Sequence, residues 1–215
     1  MIKPIIAFIN LSGGVDSTYY LWRWLRENPE QRILVHHCLF LKKRLEKEKN
    51  ACDNVLTYLN SVGLKNFKYV ETGIQRGTVQ GKILDIELLS ANTAIALKSC
   101  KTIRQVLLPY CQEETAALDS HIKSGGTIQT FDHTHRYWKV NQVYELLSGK
   151  RYSYLFYKGE EGGLMSKRQM IQEMPQELFE KTWYCRRPTM EGQVCGKCHT
   201  CRKVQRALKY IKDEQ

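Results

Sequence analysis

Residues 11–18 read LSGGVDST and connect the apolar run Ile5–Asn10 to the segment Asp16–Glu27, whose apolar residues recur at helical spacing. The run predicts a buried strand, and the segment predicts a helix. Two adjacent glycines at this junction permit a sharp turn and let backbone N–H groups approach a ligand at the start of the helix. Hydroxyl side chains flank them on both sides. The stretch therefore predicts an anion-binding loop of the kind that cradles phosphates.

Asp16 is the only carboxylate in this loop, while Ser12, Ser17 and Thr18 supply hydroxyl donors. Asp16 has two alternative roles: capping the first turn of the helix, or helping to hold a metal ion that accompanies phosphates. The alternative without a ligand is an ordinary glycine turn capped by an aspartate. The loop has neither the GxxxxGKS pattern of Walker NTPases nor the GxGxxG pattern of dinucleotide-binding folds, so neither class is indicated.

The composition indicates a globular protein that attracts anions. The chain has 215 residues, of which 42% are hydrophobic, enough to fill a sizeable core. It carries 33 basic and 22 acidic residues, so its formal net charge is +11, which favours nucleotides, nucleic acids or acidic surfaces alike. The apolar run near the N-terminus is too short to span a bilayer, and no signal-peptide pattern follows it. We expect a cytoplasmic protein with no membrane partner.

The order of the predicted elements favours an α/β fold with a parallel sheet and helices on both faces. The first strand and helix are followed by strands at Arg32–Leu41, Phe67–Glu71 and Gln105–Tyr110, which alternate with helices at Lys42–Ser61 and Ile83–Ser99. Further helices are predicted at Val140–Ser148, Met165–Met174, Gln176–Lys181 and Lys203–Lys212. We expect an α/β domain over residues 1–160, with a helical segment over residues 161–215 packed on it.

Four of the eight cysteines, at positions 185, 195, 198 and 201, form the pattern C-x9-C-x2-C-x2-C. Two-residue spacings let neighbouring thiolates bind one ion, and Cys185 completes an all-cysteine tetrahedral shell typical of structural zinc. An iron–sulfur cluster is the alternative, but in ferredoxins a fourth cysteine follows closely and precedes proline, whereas Arg202 follows here. His199 stands between two of the cysteines and would have to replace one to bind the ion, so we interpret it as a bystander.

The string SGGVDS resembles the SGGxDS pyrophosphate loop of the PP-loop ATPase superfamily, also called the adenine nucleotide α-hydrolase-like fold. The resemblance implies an enzyme that transfers AMP from ATP to a carbonyl oxygen, which a nitrogen or sulfur nucleophile then replaces. Such chemistry requires positioned phosphates and charge neutralisation rather than a protein nucleophile. It is consistent with a sequence that shows no evident Ser-His-Asp or Cys-His arrangement.

Three features together resemble one branch of this superfamily, the 7-cyano-7-deazaguanine synthase family. They are the loop, the C-terminal cysteine pattern and two short segments, TWYC at 182–185 and LMSKRQMI at 164–171. The resemblance implies ATP and zinc as cofactors, magnesium with the ATP, ammonia and a 7-deazaguanine-type acceptor as substrates, and a homodimer. It implies that Lys167 reaches the phosphates of ATP from the wall opposite the loop and that Asp16, Ser17 and Lys167 are the catalytic residues. The loop residues that it implies for ATP binding are Leu11, Ser12, Gly13, Gly14, Asp16, Ser17 and Thr18. The alternative for Lys167 is a solvated helix lysine.

The middle of the chain departs from the pattern of that family. Residues 82–85 read KILD where family members show PxRN, and 109–114 read PYCQEE in place of the stretch that binds the acceptor. Glu114 stands where the family has an aspartate, so the resemblance implies a substrate-binding role for it. An altered acceptor, or arrest at the amide, therefore stays open. So does a tRNA-modifying PP-loop thiolase or amidoligase, which the basic segment KVQRALKYIK at 203–212 would suit. A non-catalytic zinc-bearing nucleic-acid module is disfavoured, because binding alone needs no pyrophosphate loop.

Overall fold

A computed structural model of the chain describes residues 3–40, 45–74, 85–131 and 136–214. Five strands form one sheet in the order β3-β2-β1-β4-β5, and every neighbouring pair is parallel. The strands are β1 (Ile5–Asn10), β2 (Arg32–Phe40), β3 (Phe67–Ile74), β4 (Gln105–Leu107) and β5 (Ser153–Leu155). Along the chain, β2 and β3 are added on one side of β1, and β4 and β5 are then added on its other side. The gap between the carboxyl ends of β1 and β4 is therefore a topological switch point, where open α/β sheets bind ligands.

Helices cover both faces of the sheet. They are α1 (Val15–Glu27), α2 (Leu45–Ser61), α3 (Asp85–Ser99), α4 (Ala116–Lys123), α5 (Arg136–Ser148), α6 (Lys167–Glu173), α7 (Gln176–Glu180) and α8 (His199–Asp213). Successive side chains of β1 point to opposite faces of the sheet and so belong to two different hydrophobic cores. Ile9 belongs to the core that includes residues of α1, α2, α6 and α8, whereas Phe8 belongs to the core that includes residues of α3, α4 and α5. The predicted α/β architecture is confirmed.

Several predicted element boundaries are corrected. The fourth strand ends at Leu107 rather than Tyr110, because the backbone N–H of Leu108 already bonds to the last residue of β5 and the chain turns away before Pro109. The helix predicted from Lys203 begins at His199, with Cys198 as its N-cap. The helix predicted from Met165 begins at Lys167, because Ser166 caps it by accepting from the backbone N–H of Gln169.

Two elements, β5 and α4, were not predicted from the sequence. β5 is three residues long and has no fully buried side chain, so it carries no periodic signal. Within the described residues, no helix combines the length and apolarity that a membrane crossing requires. The segment KILD at 82–85 lies outside the residues whose side chains the structure describes. The C-terminal helices contact the sheet domain through α1 and α6, but a boundary near residue 160 stays a prediction.

Candidate active site

The predicted anion-binding loop leaves the carboxyl end of the central strand β1 and enters α1 at the switch point. Its turn is held by hydroxyl groups: the backbone N–H of Ser12 donates to Ser17 Oγ at 3.2 Å, and the two serine oxygens lie 3.1 Å apart. Ser12 Oγ also accepts from the backbone N–H of Gly14 at 3.3 Å. Ser17 Oγ therefore contacts both Ser12 and Gly14, and the two serines fix the conformation of the loop through hydrogen bonds inside it.

The first and last residues of the loop are buried. The N–H of Leu11 donates to the carbonyl of His36 at 2.8 Å, and its carbonyl lies 2.7 Å from His37 Nδ1, so both backbone groups are occupied within the protein. The hydroxyl of Thr18 is buried and has no hydrogen-bond partner among the described residues. Leu11 thus anchors the loop to β2, and the phosphate-binding roles of Leu11 and Thr18 stay predictions.

Gly13 is required at its position for two reasons. Its φ of +70° lies in the left-handed region, and a Cβ there would come within 2.8 Å of the Ala51 Cβ of α2. Its carbonyl accepts from the backbone N–H of Trp183 at 2.7 Å, which ties the loop to the C-terminal segment. The close approach of α2 therefore depends on the missing side chain.

We expect Gly13→Ala to lower the free energy of unfolding by about 2–4 kcal/mol, since backbone strain and overpacking add. Gly125→Ala is the matched control, because Gly125 has a φ of +86° but nothing within 4 Å of the place that a Cβ would occupy. The control should lose only about 1–2 kcal/mol from backbone strain. Urea denaturation of both variants measures the difference, and equal losses would show that the contact with Ala51 is unimportant.

Asp16 does not cap α1. The N-cap is Gly14, no side chain caps the first turn, and Asp16 lies inside the helix. Both of its carboxylate oxygens instead accept from the ammonium of Lys167, at 2.5 and 2.7 Å. The capping role and the interpretation as an ordinary aspartate-capped turn are therefore wrong, because the carboxylate faces a charged partner across the switch point.

Lys167 is the first residue of α6, and its side chain is only 2% exposed. The alternative of a solvated lysine is thus wrong. Burial alone lowers the pKa of Lys167, but the neighbouring carboxylates of Asp16 and Glu114 outweigh it and raise the pKa above its ordinary value. Burial raises the pKa of the Asp16 carboxyl, and the Lys167 ammonium offsets part of that rise. Lys167 is therefore a permanent buried cation that faces the loop.

The turn after β4 supplies two further carboxylates to the cluster. Glu114 Oε1 lies 3.6 Å from Lys167 Nζ, and Glu113 accepts the backbone N–H of Lys167 at 2.9 and 3.0 Å. Burial raises the pKa of Glu114, but Lys167, Lys203 and Arg186 outweigh it, so the pKa is lowered and the group is ionised at neutral pH. The sequence analysis named Glu114 but missed Glu113, which orients the start of α6.

Cys111 is the second residue that sequence reasoning missed. It is 1% exposed, and its Sγ lies within 4.8 Å of carboxylate oxygens of both Asp16 and Glu114. Burial raises the pKa of the Cys111 thiol, so it is protonated at neutral pH. The two carboxylates provide the oxygen ligands that Mg²⁺ prefers, whereas a neutral thiol is a poor ligand for so hard a cation. Asp16 and Glu114 thus offer oxygen atoms of the kind that Mg²⁺ prefers, but both carboxylates face the Lys167 ammonium, so a magnesium ion held there would replace part of that contact.

The four cysteines of the predicted metal site come together. The sulfur atoms of Cys185, Cys195, Cys198 and Cys201 all lie within 4.8 Å of one another. Backbone N–H groups donate to two of them, from Cys195 to the sulfur of Cys185 and from Cys198 to the sulfur of Cys195, each at 3.3 Å. Burial raises the pKa of Cys198, but backbone and side-chain donors outweigh it and bring the pKa to about 6, whereas burial and the neighbouring thiols raise the pKa of Cys201. Clustered sulfurs with backbone donors are the surroundings that thiolate ligands of zinc require.

The cysteine cluster adjoins the anion-binding loop. Trp183, two residues before Cys185, makes the bond to Gly13, and Lys47 of α2 lies over its ring at 5.8 Å from the centroid. Lys203 of α8 donates to the carbonyl of Glu113 at 2.5 Å. His199 is exposed at the start of α8 and outside the cluster, in agreement with the interpretation as a bystander. The cluster therefore braces the loop and the turn after β4 together.

Comparisons with known proteins give a likeness in structure but none in sequence. No family model matches the chain, and no curated protein matches it. Among solved structures, the chain is similar to the NMN synthetase from Francisella tularensis, with 9% sequence identity over 99% of this chain and 79% of that chain, at a TM-score of 0.45. A likeness at this identity and TM-score carries nothing about the chemistry of this chain.

Proposed function

We propose that the chain is an ATP-dependent ligase of the PP-loop type, which transfers AMP to a carbonyl oxygen and then replaces AMP with nitrogen. One observation carries the proposal: Lys167, 2% exposed, contacts Asp16 of the SGGVDS loop at the switch point of a parallel sheet. A buried cation facing a glycine loop at a helix start is an arrangement suited to polyphosphate. The resemblance of the loop to SGGxDS supports the same assignment.

In this proposal the loop binds the phosphates, and Lys167 stabilises the charge that develops on them. The acceptor oxygen attacks the α-phosphorus, the bond between that phosphorus and the bridging oxygen breaks, and pyrophosphate leaves with the electron pair. Ammonia then attacks the activated carbon, and AMP leaves. A magnesium ion bound by Asp16 and Glu114 would supply additional positive charge. Lys167 keeps its charge throughout because its raised pKa prevents deprotonation.

Zinc in this account is structural. Cys185, Cys195, Cys198 and Cys201 would use all four tetrahedral positions, which leaves none for a substrate. The ion would fix the segment that contacts Gly13 through Trp183 and Glu113 through Lys203. The cluster thus supports the active site through the protein and not by direct contact with the reacting atoms.

For the acceptor we propose a 7-deazaguanine-type carboxylate or amide, on the resemblance to 7-cyano-7-deazaguanine synthases. With its departures at 82–85 and 109–114, the chain would convert 7-carboxy-7-deazaguanine slowly or stop at the amide, because each unmatched polar group in a pocket costs about 1–3 kcal/mol. We also propose a cytoplasmic homodimer on the same resemblance.

The acceptor test is incubation of the purified protein with ATP, ammonium and 7-carboxy-7-deazaguanine, followed by mass analysis of the products. We expect the amide, or the amide with some nitrile. Glu114→Gln should reduce acceptor turnover by about tenfold or more while changing ATP affinity less, since it keeps the size of the side chain but removes a charge beside Lys167. Rapid nitrile formation that is unchanged in Glu114→Gln would contradict the role of Glu114 and the expected arrest at the amide. Absence of any product from 7-carboxy-7-deazaguanine would contradict the acceptor assignment.

A further inference from the structure

The C-terminal segment concentrates positive charge beside the candidate active site. Residues 181–212 contain nine lysines and arginines but only one acidic residue, so this segment carries +8 of the chain's formal +11. A zinc ion with four thiolates would subtract about two of these charges, which leaves an excess of about six. The basic character of the protein is therefore local, and it belongs to the element that braces the loop.

Much of this charge is solvent-exposed and unpaired. Arg187, Lys197, Arg202, Arg206 and Lys209 are exposed, and none of them forms an ion pair with another residue that the structure describes. Elsewhere some exposed basic residues pair, as Arg168 does with Glu214 at 2.7 Å, while others such as Lys98 and Arg104 have no ion pair among the described residues. Uncompensated cations that repel one another are costly without a polyanionic partner.

Three of the five basic residues of α8 form a stripe. Arg202, Arg206 and Lys209 are spaced at i, i+4 and i+7, which places them on one face of the helix over about 10 Å. The opposite face, with Val204 and Ala207, is buried in the core. Because its apolar face is already used, α8 cannot insert into a bilayer as an amphipathic helix does. The exposed face carries these three cations, with Gln205 beside them and Asp213 at the end of the helix. The three cations match a run of about three backbone phosphates.

The stripe continues to the mouth of the candidate site. Lys203, the neighbour of Arg202, contacts the carbonyl of Glu113, and Arg186 is close enough to Glu114 to help lower the pKa of that carboxyl. Glu114 in turn lies 3.6 Å from Lys167. A polyanion bound along α8 would thus place one of its residues beside the catalytic cluster.

We propose that residues 181–212 form an RNA-binding surface, which docks a structured RNA with one of its bases at Lys167. An RNA base and the free 7-deazaguanine-type molecule of the proposed function are then alternative acceptors at the same position. The identity of the reaction rests on the proposed function, but the binding itself does not. RNA is favoured over duplex DNA because chemistry on a base requires that base to be unstacked, which loops and ends of RNA supply readily.

The test is binding of fluorescently labelled bulk transfer RNA to the full-length, zinc-loaded protein, measured by anisotropy at several salt concentrations. The triple variant Arg202→Glu, Arg206→Glu, Lys209→Glu should bind at least about tenfold more weakly and show a shallower salt dependence, because three phosphate contacts are lost. The matched control is Lys98→Glu, Lys101→Glu, Arg104→Glu. It changes the net charge equally, but its exposed residues lie between the end of α3 and the start of β4, at the amino ends of the strands and away from the candidate site. The control should change affinity by less than about twofold.

Equal weakening in both triple variants would overturn the surface assignment, since it would show a response to net charge alone. Equally effective competition by a DNA duplex of the same length, or binding to anionic vesicles without binding to RNA, would overturn the RNA assignment. Asp16→Asn separates this proposal from the proposed function, because it should lose AMP release yet bind RNA with unchanged affinity. If RNA binds but no ATP is consumed, the RNA-binding surface is supported and the proposed ligase reaction is contradicted.

Discussion

Replacing Lys167 with methionine is expected to lower ATP-dependent turnover by about a thousandfold or more, since it removes the only buried cation that faces the phosphate loop among the described residues. Methionine keeps the length and apolar stem of the side chain but loses the bonds to both oxygens of Asp16. The expected loss is in kcat, because charge on the phosphates grows in the transition state. Release of AMP from ATP, followed with radiolabelled nucleotide, measures it.

The same substitution should also cost stability, but modestly. It leaves the carboxylates of Asp16 and Glu114 without their shared partner, and both side chains are partly exposed, at 20% and 26%. We expect a loss of about 2 kcal/mol, less than for a fully buried pair. Arg168→Met is the matched control, since Arg168 is the next residue of α6 and its exposed pair with Glu214 lies outside the cluster. Equal turnover in Lys167→Met and Arg168→Met would contradict the catalytic role of Lys167.

Cys198→Ser is expected to abolish stoichiometric zinc binding and to leave most of the chain insoluble or partly unfolded. Cys198 is both a predicted ligand and the N-cap of α8, and α8 packs on α6, whose first residue is Lys167. Binding free energy at such a site is folding free energy, which amounts to about 10 kcal/mol or more in small zinc domains. Elemental analysis and thermal unfolding, with and without a chelator, measure the effect.

The control for this variant is Cys100→Ser. Cys100 is partly exposed between α3 and β4, outside the cysteine cluster. It should keep one zinc per chain and a melting temperature within about 2 °C of the unsubstituted protein, as most partly exposed substitutions do. Iron in place of zinc, with visible absorption, would contradict the zinc assignment and favour the cluster alternative.

The elements predicted from the sequence are those that depend on local patterns. The strand–loop–helix unit around SGGVDS and the cysteine spacing each lie within short stretches, so spacing and residue type are sufficient to identify them. Lys167 was assigned only through resemblance, because its partner Asp16 is 151 residues away in the chain. Glu113 and Cys111 were missed for the same physical reason: their roles arise from the packing of α6 against the turn after β4, which no local pattern encodes.

The link between the two motifs is likewise tertiary. The bond from Trp183 to Gly13 joins the cysteine segment to the loop, and the approach of α2 requires a glycine at the same residue. The sequence shows a glycine at that place, but not which neighbour excludes a side chain. The spacing of the basic stripe of α8 can be read from the sequence, but its position beside the candidate site cannot, because that position depends on tertiary packing.

The position at which ATP is cleaved tests the central claim most directly. ATP labelled at the α- and γ-phosphates would be incubated with the protein, magnesium, ammonium and each candidate acceptor, 7-carboxy-7-deazaguanine or bulk transfer RNA, and the products separated. The account predicts AMP and pyrophosphate in equal amounts, with neither formed by Lys167→Met. Formation of ADP and orthophosphate would contradict it, because a loop that presents the α-phosphorus to an acceptor oxygen cannot be reconciled with cleavage at the γ-phosphate.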